Sequence, residues 1–399
     1  MPGVEIKPGI YWVGVNDRTT DLFEGLWPIS REGVSYNAYL VKGEKTALID
    51  LAKDFKLNAL LDQIAELTDP AQLDYVVINH MEPDHTGALS IFHRLAPKAQ
   101  FLISAKGQPM LDAYYHITEK VHVVADGEEL DLGGHRLKFL YTPFVHWPET
   151  MMTYEIHQGV LFSCDGFGGY GALQGGIFDD QYADISFYEQ EALRYYVTIV
   201  SRYNAPVLKA LNLLSTLPIQ VIAPAHGLVW RGNPQRILEL YRRWAEYAKG
   251  PGDVGVTLLM GTMYGNTERV AQAVAEGVVR AGVPVDSFDV RHVQAAYYLP
   301  YLYQRRGVIV GAPTYEGHLF PPMQDALRMA EAKRIENRKA AYFGSYGWSG
   351  GAITDFKKLA ETLKWEVLEA WHFQGGATPE LLRKAEDFGF RFAEALKQG

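Results

Sequence analysis

The heptapeptide Asn79-His80-Met81-Glu82-Pro83-Asp84-His85 places four metal-competent side chains, His80, Glu82, Asp84 and His85, within six residues. Three further candidates follow singly: His146, Asp165 and His226. Imidazole mixed with carboxylate suits iron, zinc or manganese, whereas a soft-metal site would be rich in thiolate. Seven candidates exceed what one ion with an open position needs, so two ions are expected. A carboxylate such as Asp165 can bridge ions about 3.5 to 4 Å apart. His85 reads either as a ligand or as a donor that orients Asp84. The histidines in mixed polar contexts, His93, His116, His122, His135 and His157, are expected to face solvent.

Each candidate stands just past an apolar run. Leu73 to Ile78 precedes the heptapeptide, Leu137 to Val145 precedes His146, Val160 to Cys164 precedes Asp165, and Gln220 to Ala225 precedes His226. Such runs read as buried strands whose carboxyl ends deliver the ligands. In extended geometry His80, Glu82 and Asp84 point the same way, with Pro83 stiffening the turn.

A second constellation begins after the run Val254 to Met260. The loop Gly261-Thr262-Met263-Tyr264-Gly265-Asn266-Thr267 leads into a helical pattern, Glu268 to Ala281. Backbone N–H groups, threonine hydroxyls and a helix N-terminus together suit a phosphate. With no Gly-x-Gly-x-x-Gly and no Walker lysine, a mononucleotide phosphate fits better than a dinucleotide or ATP. Two later strands, Arg306 to Gly311 and Lys339 to Phe343, feed further loops. The first offers Pro313, Thr314, Tyr315, Glu316 and Gly317; the second offers Ser345, Tyr346, Gly347, Trp348, Gly350 and Gly351. Open α/β sheets bind ligands at such strand ends, glycine permits close approach, and an aromatic ring gives a flavin a flat face.

A chain of 399 residues with 48% hydrophobic content suits two domains rather than one. The breaker cluster Gly250-Pro251-Gly252-Asp253 sets expected domains at residues 1–250 and 254–399. The amino terminus does not read as a secretory signal, and no apolar run reaches the about 18 residues a membrane span needs, so the cytosol is the expected setting. The single cysteine, Cys164, excludes an intrachain disulfide and an iron–sulfur or rubredoxin module within these residues. It is expected to pack beside Asp165. A net charge of −9 with no basic run argues against nonspecific nucleic-acid binding.

The pattern His80-x-Glu82-x-Asp84-His85, with His146 in His-Trp-Pro, Asp165, and His226 in Pro-Ala-His-Gly, resembles the metallo-β-lactamase superfamily. Its zinc hydrolases usually carry histidine where this chain has Glu82; the carboxylate shifts preference from zinc toward iron. That variant, with three flavodoxin-like loops behind it, resembles the flavodiiron proteins over nearly the whole chain. The resemblance implies an α/β fold: an αββα metallo-β-lactamase-like sandwich followed by a flavodoxin-like doubly wound parallel sheet. It implies FMN, and two irons: His80, Glu82 and His146 on the iron nearer the flavin, Asp84, His85 and His226 on the farther one, and Asp165 between them.

It further implies reduction of dioxygen to water or of nitric oxide to nitrous oxide. Two flavin electrons and two from a ferrous pair match the four that dioxygen needs. Family precedent suggests rubredoxin or reduced deazaflavin as a separate donor, and a head-to-tail homodimer. Trp147 and Tyr170 are candidate pocket residues that also read as core aromatics. Where many relatives have Asp-Ala-Phe-Gly, this chain has Asp165-Gly166-Phe167-Gly168-Gly169, which implies a more open pocket wall. The alternatives are a zinc hydrolase fused to a flavodoxin electron carrier, and a pure electron carrier whose first domain is structural.

Overall fold

The structure is a computed structural model and describes residues 3–398. The chain divides into two compact units, residues 1–243 and 244–399.

The first unit is built on two large sheets. One has seven strands in the order β1 (Val4–Lys7), β2 (Ile10–Trp12), β3 (Tyr39–Lys42), β4 (Thr46–Ile49), β5 (Tyr75–Ile78), β6 (Gln100–Ile103) and β7 (Val121–Val123). Strands β4 to β7 run parallel, and each of β4, β5 and β6 ends on a fully buried apolar triplet. Burial on both faces is what parallel strands require, and it explains their unbroken apolar character. The second sheet has β8 (Glu129–Asp131), β9 (Arg136–Tyr141), β10 (Met151–Glu155), β11 (Val160–Cys164) and β12 (Val221–Pro224), with the last pair parallel. The sheets meet face to face: the Tyr39 and Phe162 rings lie 5.1 Å apart, and Tyr39 donates to the Pro224 carbonyl at 2.7 Å.

The second unit is a five-stranded, wholly parallel sheet in the order β14 (Val285–Asp289), β13 (Asp253–Met260), β15 (Arg305–Gly311), β16 (Lys339–Tyr346) and β17 (Glu366–Gln374). Numbered within the unit this is 2-1-3-4-5, the flavodoxin order, whose switch point lies between the first and third strands. Helix α3 (Asn266–Arg280) buries Val270, Ala271, Val274 and Val278, spaced at three and four residues, against the sheet. Helix α4 (Pro379–Lys397) is capped by Thr378, which accepts from Leu381 N–H at 3.2 Å, and carries proline at its first position. The two helices pack so closely that a Cβ on Gly277 would stand 1.9 Å from the Glu386 carbonyl oxygen.

Two element expectations need correction. Asp84 and His85 do not continue an extended chain: Pro83 opens a one-turn helix, α1 (Pro83–Thr86), because its fixed φ suits a first helical position. Strand β16 runs on through Ser345 and Tyr346 instead of ending at Phe343, since pairing with β17 continues to Tyr346↔Gln374. Among the described residues no helix is long and apolar enough to cross a membrane.

Candidate metal centre and flavin pocket

All seven candidate ligands converge at the carboxyl ends of strands in the first unit. His80 and Glu82 leave β5, Asp84 and His85 stand on α1, His146 lies between β9 and β10, and Asp165 and His226 follow β11 and β12. They form two groups sharing one carboxylate. Asp165 Oδ2 lies 3.4 Å from both His80 Nε2 and His146 Nε2, and Glu82 Oε2 lies 3.2 Å from each of the same nitrogens. Asp165 Oδ1 lies 3.1 Å from His85 Nε2 and 3.4 Å from His226 Nε2, with Asp84 at 3.5 Å and 3.3 Å from those nitrogens. Donors about 2.0 to 2.2 Å from a common ion stand about 2.9 to 3.5 Å apart around it, so each group has the edge lengths of a coordination shell.

The charges within the centre hold one another in place. Burial opposes ionisation of Glu82, but hydrogen bonds with His146 and His80 outweigh it and hold the carboxyl well below the usual range. Burial likewise opposes a charge on His146, and Asp165 and Glu82 reverse this, raising it to about 10. His226 is raised to about 9 against its burial by Asp165 and Asp84. Even so, Asp84 Oδ1 and Oδ2, His85 Nε2, Asp165 Oδ2 and His226 Nε2 are buried with no hydrogen-bond partner among the described residues. Orphaned buried donors and acceptors are costly, and these belong to the two groups that meet at Asp165, so the residues fit a pair of cations.

Several surrounding residues were not legible as part of the site. Glu149 Oε1 lies 2.6 Å from His80 Nδ1 and accepts from Met81 N–H at 3.0 Å. Tyr195, at the end of α2 (Ser186–Tyr195), donates its hydroxyl to Asp165 Oδ1 at 2.7 Å. A π-helical turn, Tyr196–Val200, follows directly. Glu149 could have been read as an acid three residues beyond His146; nothing near Tyr195 signals a contact with Asp165. Cys164 is buried, with Sγ 3.8 Å from His85 Nδ1.

Tyr170 is fully buried, its hydroxyl 2.8 Å from Thr198 Oγ1 and its ring 5.1 Å from that of Tyr195. The half-buried Trp147 stands edge-on to His80 at 4.9 Å. The glycine-rich wall is closed rather than open. Gly166, Gly168 and Gly169 are buried, and a Cβ on Gly169 would lie 3.0 Å from Ala192 Cα, so glycine there permits close packing. His135 does not face solvent either: it is 6% exposed, with Nδ1 3.3 Å from Glu155.

Access to the centre is narrow. Phe23, in the hairpin formed by Leu22–Phe23 and Trp27–Pro28, sits edge-on over His226 at 5.4 Å. Of the seven candidate ligands only Glu82 is more than slightly exposed, its side chain at 14%. It lines a cavity of about 230 Å³ with Phe23, Glu24, Lys53, Pro83 and Asp84.

In the second unit a cavity of about 480 Å³ opens at the carboxyl ends of β13, β15 and β16, at the switch point. Thr262, Met263, Tyr264 and Asn266 line it from the first loop, and Pro313, Thr314, Tyr315 and Glu316 from the second. Ser345, Tyr346, Gly347 and Trp348 come from the third, and Gly375 adds a contact that the sequence reading missed. Tyr264 and Trp348 are 90% and 88% exposed. Gly265, Thr267, Gly317, Gly350 and Gly351 are not in the lining but shape it. Gly265 donates to Thr262 Oγ1 at 2.9 Å with φ +85°, and the hydroxyls of Thr267 and Ser345 stand 3.1 Å apart. Gly351 passes so close to Gly317 that a Cβ would lie 1.7 Å from its carbonyl oxygen, and one on Gly350 would meet His372 at 2.5 Å.

Comparison with known proteins agrees with this two-part architecture. Residues 34–227 match the family described as "ODP family beta lactamase", and residues 258–389 match "Flavodoxin". A nitric oxide reductase of Moorella thermoacetica is 34% identical, covering 96% of this chain and 95% of that protein. The crystal structure of the flavodiiron protein from Giardia intestinalis superposes with a TM-score of 0.94 at 29% identity, covering 100% of this chain and 97% of that one. The rubredoxin oxygen:oxidoreductase of Desulfovibrio gigas gives 0.93 at 28% identity and 99% coverage of both chains. Likeness that runs through both units in one relative after another is a property of the whole chain, and on that ground the chain belongs to the flavodiiron protein family.

Proposed function

We propose that this chain is an FMN- and diiron-dependent oxidoreductase that reduces dioxygen, nitric oxide or both. The observation that carries the reading is the division of Asp165 between two matched groups, each of two histidines and one carboxylate. His80, Glu82 and His146 would hold one iron, Asp84, His85 and His226 the other, with Asp165 common to both. The diiron domain would occupy residues 1–250 and the FMN domain 254–399. Bound iron would supply open coordination positions and Lewis acidity, and FMN would supply electrons.

This chain's own groups set the conditions for that chemistry. Glu82 and Asp84 offer hard oxygen donors, which favour iron over zinc. Tyr195 fixes the orientation of Asp165 by donating to Oδ1. Phe23 and the closed glycine wall keep bulk water from His226 and Asp165. The narrow approach beside Glu82 suits a diatomic molecule and disfavours the extended substrates of a zinc hydrolase. Relatives named for nitric oxide and for oxygen chemistry support both substrates. In the second unit the loop 262–267 at the start of α3 would hold the FMN phosphate, and Tyr315, Tyr346 or Trp348 the ring. Rubredoxin or a reduced deazaflavin is the proposed donor, a head-to-tail homodimer the proposed assembly, and the cytosol the proposed location.

The test is to load the protein with iron and FMN, verify both by elemental and flavin analysis, reduce it without air, and follow consumption of each gas by electrode. Turnover of either gas supports the reading. Inertness to both at full occupancy would sink it.

A further inference from the structure

The two groups around Asp165 have the same inner composition, two imidazoles and one carboxylate each, so any difference between them must come from what stands behind the ligands. Behind His80 stands Glu149, 2% exposed, whose Oε1 accepts from Nδ1–H at 2.6 Å. The same oxygen accepts Met81 N–H at 3.0 Å, which holds the carboxylate, and the residue's backbone carbonyl accepts Ser104 Oγ–H at 2.6 Å, which anchors the main chain that carries it. Its Oε2 is buried with no hydrogen-bond partner among the described residues. The other imidazoles have weaker backing. His226 Nδ1 donates to the Ser35 carbonyl at 2.8 Å, and His85 Nδ1 faces Cys164 Sγ at 3.8 Å. Asp50 lies in the cluster with His85 and Cys164, but Asn79 N–H and Nδ2–H occupy its two oxygens at 2.9 and 3.0 Å. No protein partner for His146 Nδ1 appears among the described residues.

A carboxylate that holds the outer N–H of a ligating imidazole fixes its tautomer and makes the inner nitrogen a stronger donor. We propose that Glu149 is a positioning residue that makes the two metal positions unequal. The position bounded by His80, Glu82, His146 and Asp165 would take a divalent cation first and hold it more tightly than the one bounded by Asp84, His85 and His226. This rests on reading the cluster as a two-metal centre.

The test adds ferrous iron enriched in 57Fe to metal-free, FMN-containing full-length protein under argon. Stepwise affinities are read by chelator competition and site populations by Mössbauer spectroscopy. The native chain is expected to bind in two steps at least about tenfold apart, with a single ferrous doublet at one equivalent. Glu149→Gln should weaken the first step about 10- to 100-fold, leave the second within about threefold, and give two doublets at one equivalent. His226→Ala should remove the second step and spare the first. Should the Gln variant fail to fold, judged by circular dichroism, Glu149→Asp decides, since it keeps the charge at shorter reach and should narrow the gap only in part. Two indistinguishable steps in the native chain, equal weakening of both steps by Glu149→Gln, or no narrowing in the folded variant would each overturn the inference. A native chain that binds no iron would instead overturn the metal-centre reading itself.

Discussion

Tyr195→Phe isolates a single buried hydrogen bond. The ring is fully buried and packs against Tyr170 at 5.1 Å, His226 at 5.6 Å and Phe23 at 6.0 Å, contacts that phenylalanine retains. What disappears is the 2.7 Å bond from its hydroxyl to Asp165 Oδ1. A hydrogen bond to a charged partner contributes about 1.5 to 3 kcal/mol. Loss of a partner that supports a metal ligand costs about 10- to 100-fold in metal affinity, or about 1.4 to 2.7 kcal/mol. The two estimates arise independently and coincide. Iron affinity measured against a competing chelator should therefore fall about 10- to 100-fold for the variant, and thermal melts of the loaded protein should shift downward. Circular dichroism should stay native, because no packing is lost. Iron affinity within a factor of about two of the native value would refute the claim that the hydroxyl orients Asp165.

Gly169→Ala should destabilise by about 1 to 3 kcal/mol in denaturant titration, since its Cβ would press on the Ala192 backbone at 3.0 to 3.1 Å; an unchanged midpoint would show that the wall can yield. Thr262→Val should weaken FMN binding up to about tenfold, by flavin-fluorescence titration, because Thr262 Oγ1 holds Gly265 N–H at 2.9 Å and so shapes the loop. Burial pushes the carboxyl of Asp17 up, but hydrogen bonds from Thr20 and Thr19, with Lys56 beside it, outweigh this and hold it at about 2. A depressed carboxyl stabilises the fold above its ordinary value near 3.8 and loses that contribution as pH falls toward about 2. Asp17→Asn should accordingly flatten the fall in stability across this range, read from melts at stepped pH; a native-like slope would contradict the assignment. Removing metal with a chelator should lower the melting temperature, because orphaned atoms such as Asp84 Oδ1 and His226 Nε2 then remain buried; an unaltered melt would speak against metal at this place.

The cluster of candidate ligands was legible because each segment that carries them follows an apolar run, and β11 occupies the Val160–Cys164 span that the run marked. The flavodoxin-like parallel sheet was legible for a similar reason: each loop rich in Gly, Thr or aromatic residues follows a buried parallel strand. Other features depend on contacts that local spacing does not encode. Tyr195 meets Asp165 across 30 positions, and His135 meets Glu155 across 20. Pro83 suited a stiffened turn and a helix start equally well in sequence, and only packing selects between them. Gly375 escaped notice because β17 before it, Glu-Val-Leu-Glu-Ala-Trp-His-Phe-Gln, has an exposed edge and never presents a continuous apolar run. The glycines after Asp165 signalled room in the sequence, but a missing side chain is equally what lets another backbone move in.

The positions of the ligands along the chain bear on the folding of the first unit. His80 and His226, at the two ends of the set, are 226 − 80 = 146 positions apart, and they leave strands of different sheets. Ions shared through Asp165 would therefore tie the two halves of the sandwich together across a loop longer than most disulfides close. By the loop-entropy argument used for such bridges, a tether closing on the order of 100 residues removes about 4 to 5 kcal/mol of freedom from the unfolded chain. The centre would then act as a fastener as well as a reaction site. Its occupancy would set how fast the sheets separate and how readily proteases reach the strands between them.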